Sequence, residues 1–180
     1  LYLAETRRAV QVANERGITT ARWFPNHRSN DQSVSRSVVT ADRCTRYVFV
    51  SHVREAKGIL ELVQAAESLD PGLGISVDVY GPIYSDVDPS LFLNRSHIRY
   101  RGVLEIGEIT ATLKQYHAVL LPTRHDGEGY PGILLEAFSL GIPAIATRWQ
   151  HIPELVDETC GILVEPGSIE RICPFALGIE

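Results

Sequence analysis

Apolar and polar positions follow two rhythms along this 180-residue chain. Short runs of strand length recur at 47–53, 75–80, 97–103, 118–122, 142–147 and 161–164. The run at 47–53 is β-branched and aromatic, as a buried strand is. Between the runs, apolar residues return every three or four positions. In 57–69, Ile59, Leu62, Val63, Ala66 and Leu69 share one helical face. Helices are also predicted over 108–116, 132–140 and, briefly, 152–156. Gly and Pro punctuate the changes, at Asp70-Pro71-Gly72, Gly81-Pro82 and Gly141. Strands that alternate with helices in this way predict an α/β doubly wound, Rossmann-like parallel sheet covered on both faces. The expected strand order is 3-2-1-4-5-6.

The opening differs. Residues 2–16 read as a helix that stops at Gly17, and 18–24 as a short strand closed by Pro25-Asn26. Residues 26–46 are rich in Ser, Asn, Asp and Arg and read as a polar linker. The expected organisation is an opening helix, short strand and linker over 1–46, a ligand-binding domain over 47–168, and a truncated tail over 169–180, where Cys173-Pro174 interrupts any helix.

Composition narrows the function. With 44% hydrophobic and 22% charged residues, wholesale disorder is excluded. The net charge of -5 divides unevenly: residues 1–50 carry eight Arg, no Lys and four acids (+4), and the remainder nine bases and 18 acids (-9). An acidic chain argues against nucleic-acid partners. Cys44, Cys160 and Cys173 have no metal spacing and read as free thiols of a reducing, cytoplasmic compartment. No apolar run approaches the roughly 18 residues of a membrane span. The chain has no Met, even at position 1, and is expected to be a piece of a longer protein.

Ligands of such sheets bind beyond the carboxyl ends of the strands. The loops at 51–57, 81–95, 103–107 and 123–132 are therefore the candidate walls. Within 122–147, Glu136 sits among Ile133, Leu134, Leu135, Ala137 and Phe138. A carboxylate inside an apolar helix needs a partner. Either a neighbouring group supplies a hydrogen bond, or the carboxylate grips vicinal hydroxyls such as those of a ribose. Gly127, Gly129 and Gly132 let the preceding backbone approach a ligand. Pro131 suits a helix start, whose free N–H groups favour a phosphate. Glu128 repels phosphate but accepts from sugar hydroxyls. Basic residues in Ser51-His52-Val53-Arg54-Glu55-Ala56-Lys57-Gly58 can neutralise a diphosphate. This segment is not a Walker loop, and no Gly-x-Gly-x-x-Gly dinucleotide fingerprint follows the 47–53 strand. His97, His117 and His151 read as edge or surface residues, and no Gly-x-Ser-x-Gly elbow supports a hydrolase.

Glu128 and Glu136, with seven residues between them in EGYPGILLEAFSLGIPAIAT, resemble the Glu-x7-Glu signature of retaining GT-B glycosyltransferases of the group 1 (family 4) kind. The strand–Gly at VDVYG, HIRYRGV, QYHAVLLPT, PELV and GILVEPGS fall in that family's order over roughly residues 47–168. The opening ETRRAV…ARWFPNHR resembles its approach to the carboxyl-terminal domain. The resemblance implies one half of a GT-B architecture that binds a nucleotide-diphosphate sugar. Glu136 would take the ribose hydroxyls and Glu128, as catalytic residue, the donor sugar. The backbone of Gly129, Tyr130, Pro131 and Gly132 would hold sugar and phosphate. Lys57 would neutralise the diphosphate, and Leu104 would lie beside the base. No metal or other cofactor is implied. The acceptor would sit on an amino-terminal domain outside this chain, through which any membrane association would also come, as in polysaccharide biosynthesis. The fragment alone is expected not to turn over.

The chain departs from the family's Gly-Arg by having Ser51-His52. Histidine loses its charge near neutrality where arginine keeps it, and Arg54 is the candidate substitute. Two other readings stay open. One is another GT-B sugar-nucleotide enzyme, such as an epimerase or a phosphorylase; the latter needs a pyridoxal lysine, for which only Lys57 and Lys114 exist. The other is a degenerate domain kept for nucleotide binding or assembly.

Overall fold

A computed structural model describes residues 1–27, 45–70 and 72–168. Most of the expected linker (28–44), Pro71 and the expected tail (169–180) lie outside the described residues, as do Cys44 and Cys173.

Six parallel strands form the main sheet: β3 (Thr45–Val50), β4 (Ile75–Tyr80), β5 (Ile98–Gly102), β6 (Ala118–Leu121), β7 (Ala144–Thr147) and β8 (Gly161–Val164). Their order is β5-β4-β3-β6-β7-β8, which is 3-2-1-4-5-6 counted from the first strand of the sheet. Alternation along the central strands divides the core. Tyr47 and Phe49 of β3, Leu120 of β6 and Ile145 of β7 pack with Ile59, Leu62, Val63 and Ala66 of α2 (Ile59–Glu67). Val48, Val119, Leu121, Ala144 and Ala146 point the other way. There they meet Leu113 of α3 (Ile109–Leu113) and Leu134 and Ala137 of α4 (Gly132–Ser139). Each fully buried leucine contributes about 1.5–3 kcal/mol.

The opening residues form a βαβ unit with a two-stranded sheet of its own. β1 (Tyr2–Ala4) pairs in parallel with β2 (Ala21–Trp23) across α1 (Arg7–Glu15). The helix expected from residue 2 therefore begins at Arg7. Tyr2 and Leu3 fit a helical face by spacing, but pairing with β2 overrides it. Thr6 sets the boundary, its hydroxyl accepting the Ala9 N–H at 3.1 Å.

Two glycines fix the strand ends. Gly58 has φ +79°, and a Cβ there would collide with the Pro122 carbonyl. Gly81 has φ +135°, and a Cβ would collide with the Ser51 carbonyl. The turn after β3 is thereby pressed against the ends of β4 and β6.

Candidate functional site

Three loops converge at the carboxyl edge of the sheet. Val53 N–H donates to Pro82 O at 2.9 Å, tying the turn after β3 to the loop after β4. Arg124 N–H donates to Ala56 O at 2.8 Å, tying that turn to the loop after β6. Between them lies a cavity of about 420 Å³, lined by Ser51, His52, Lys57, Gly81, Val103, Leu104, Ile109, Glu128, Pro131, Gly132 and Ile133. A larger cavity of about 810 Å³ runs along the β8 edge by Arg148, Val156 and Leu163, but contains none of the candidate site residues.

The polar centre is a buried ion pair. Lys57 Nζ donates to Glu128 Oε2 at 2.7 Å, with the side chains 12% and 8% exposed. Thr123 Oγ1 donates to the same oxygen at 2.6 Å and accepts the His125 N–H at 3.1 Å. Thr147 Oγ1 donates to Thr123 O at 2.6 Å. The amino end of α4 brings Pro131, Gly132 and Ile133 to the wall, with the positive end of its backbone dipoles. Leu104, Val103 and Ile109 supply an apolar side. Among the described residues, no group of three or more His, Cys, Asp and Glu could hold a metal ion.

The candidate residues are not equally placed. His52, Lys57, Leu104, Glu128, Pro131 and Gly132 line the cavity. Arg54 does not: its Nε lies 3.6 Å from Asp86 Oδ2 and its guanidinium stands 5.2 Å from the centre of the Tyr84 ring. His52 leans on the other residue of that cluster, with ring centroids 4.9 Å apart from Tyr84. Gly129 lies behind Glu128, against the opening segment, where a Cβ would come within 2.9 Å of Glu5 Oε2.

Tyr130 is buried, and its hydroxyl donates to Glu154 Oε2 at 2.8 Å. Glu154 also accepts the Arg7 N–H at 3.0 Å, so it joins the site loop to α1. Burial, and then the bond to Glu154, push the Tyr130 hydroxyl up to about 12.

Glu136 is only half-buried and does not line the cavity; the enclosed carboxylate is Glu128. α4 covers the sheet with one stripe, not all round, and Glu136 falls beside it. His97 is also buried rather than at the surface, its Nδ1 2.9 Å from Ile75 O. Thr123 and Glu154 were not singled out from the sequence. A threonine ending the apolar run AVLLPT was the available signal for Thr123, and the PELV stretch at 153–156 was the one for Glu154.

The family description "Glycosyl transferases group 1" matches residues 44–174. No curated protein matches the chain. Among solved structures, the apo lipopolysaccharide outer core galactosyltransferase WaaB superposes with a TM-score of 0.74 at 21% identity, over 95% of this chain and 50% of that one. Anabaena HepE in complex with UDP gives 0.74 at 16% identity, over 98% and 53%. A variant of S. aureus TarM, in complex with fondaparinux, α-GlcNAc-glycerol and UDP, gives 0.80 at 15% identity, over 98% and 36%. The chain thus spans about half the length of the first two and about a third of the last. The shared fold is the Rossmann-like half of the GT-B architecture.

Proposed function

Since the chain belongs to the group 1 glycosyl transferases, we propose that it is the donor-binding half of a retaining enzyme, working in the cytoplasm. The enzyme moves a sugar from a nucleotide-diphosphate sugar to an acceptor, with an amino-terminal domain outside this chain holding most of the acceptor. The observation that carries this reading is the Lys57–Glu128 pair in one cavity wall with the amino end of α4. Lys57, His52 and the α4 N–H groups meet the diphosphate. Glu128 meets the donor sugar, and Leu104 and Val103 face the base. The backbone of Gly129 and Tyr130 positions the sugar loop. Glu136, about one turn along α4 from Gly132, takes the ribose hydroxyls. Arg54 steadies the 81–88 loop through Asp86 and Tyr84.

Lys57 and the helix dipole provide the positive charge that a divalent cation would otherwise supply, so no cofactor is proposed. UDP leads as the nucleotide, because HepE and TarM were solved with it. A thermal-shift panel of UDP-, GDP- and ADP-sugars, with and without a chelator, tests this reading. A ligand bound by the native state alone raises the apparent stability. One nucleotide sugar should do so in both conditions; stabilisation by none of them contradicts the reading.

A further inference from the structure

Glu128 belongs to two cavities. One is the donor cavity described above. The other, about 310 Å³, lies between the 126–129 loop and the opening segment, where Glu5, Thr6, Asp126, Gly129 and His151 line it. No other residue lines both. Resting on the donor reading, we propose that this second cavity receives the acceptor and selects an uncharged or cationic polyol over an anionic one.

The meeting point is chemically open. Glu128 Oε2 is taken by Lys57 and Thr123, whereas Oε1 accepts no hydrogen bond among the described residues. A carboxylate oxygen carries about two acceptor sites, so Oε1 can accept a hydrogen bond from an acceptor hydroxyl. In the transfer, the acceptor oxygen bonds to the anomeric carbon as its bond to the β-phosphate oxygen breaks. The electron pair of the broken bond leaves with the nucleoside diphosphate, and the hydroxyl proton ends on that diphosphate.

The charge of the second cavity sets the class of acceptor. Glu5 and Asp126 are exposed, and their carboxylates make no hydrogen bond or ion pair among the described residues. No Lys or Arg is among the lining residues, and His151 is engaged with Glu154 at 3.2 Å. A hydroxyl or ammonium group can donate to the two free carboxylates; a uronate or phosphate is repelled by them.

The test is a nuclear magnetic resonance titration of the chain saturated with UDP. The probes are methyl β-glucopyranoside, glucosamine and glucuronate. The first two should shift the amides of Glu5, Asp126, Gly127 and Gly129 saturably, with glucuronate weaker by about tenfold, as one modest charge interaction gives. A Glu5→Gln/Asp126→Asn variant should largely close that gap. Glucuronate binding as well as the glucoside, an unchanged gap in the variant, or no response at these amides overturns the proposal. Failure of UDP itself to bind removes the donor reading, and this proposal with it. Normal UDP binding with no saccharide at these amides removes the acceptor proposal alone.

Discussion

Lys57 Nζ and Glu128 Oε2 stand 2.7 Å apart across 71 residues of sequence, joining the turn after β3 to the loop after β6. Both side chains are nearly shielded from water, so the loss of one strands the charge of the other. Lys57→Ala is expected to destabilise the chain by about 3 kcal/mol. Adding Glu128→Gln to that variant should recover part of the loss. Urea unfolding of the three proteins measures this, and a single variant as stable as the parent contradicts it.

Thr123 holds the shared oxygen from the other side. Thr123→Val keeps the shape but removes the hydroxyl, at a cost of about 1–3 kcal/mol for the groups left unsatisfied. Thr123→Ser should retain most of the stability and the nucleotide affinity. Equal behaviour of the Val and Ser variants in thermal melts would show that the hydroxyl is unused.

Glu154 and Tyr130 make the contact with α1 dependent on pH at both ends. Burial alone pushes Glu154 up, but hydrogen bonds from the Tyr130 hydroxyl, the Arg7 backbone and His151 outweigh it and hold the carboxyl below its usual 4.5. Its stabilisation is complete above that pH and is lost as pH falls through the lower folded value. Tyr130 is shifted the other way, from 10 to about 12, so its contribution is present below pH 10 and lost as pH rises toward 12. Glu154→Gln should flatten the acid limb of a melting-temperature profile, and Tyr130→Phe the alkaline limb. Asp88 and Asp157, also held low by local hydrogen bonds, keep part of the acid limb in every variant. Profiles that coincide with the parent at both ends contradict the assignment.

The Tyr84 cluster separates His52 from Arg54. Arg54 is committed to Asp86, whereas His52 lines the cavity. His52→Arg should tighten nucleotide-sugar binding by supplying a permanent charge. Arg54→Ala should cost less affinity than His52→Ala. Calorimetric titration of the three variants ranks them, and the reverse order would return the phosphate role to Arg54.

Much of this architecture was legible in the sequence because most of the buried strands are short apolar runs with a Gly or Pro stop at one end or the other. Ile75–Tyr80 and Gly161–Val164 are observed with the bounds expected. β1 was not legible: three residues become a strand only because Ala21–Trp23 lies alongside. In the site, Lys57 and Glu128 were recognised singly, but their pairing is a fact of tertiary structure. Glu136 was misjudged as enclosed because an apolar helix segment does not say how much of its circumference is covered.

The donor cavity itself is tested most directly by following backbone amides during parallel titrations with UDP and uridine. UDP should saturate one site and shift Ser51, His52, Leu104, Gly132 and Ile133. Uridine, lacking the diphosphate, should bind at least about tenfold more weakly, since a charge-assisted phosphate contact contributes roughly 1.5–3 kcal/mol. No saturable UDP binding, equal affinities for the two ligands, or shifts confined to other residues would contradict the account.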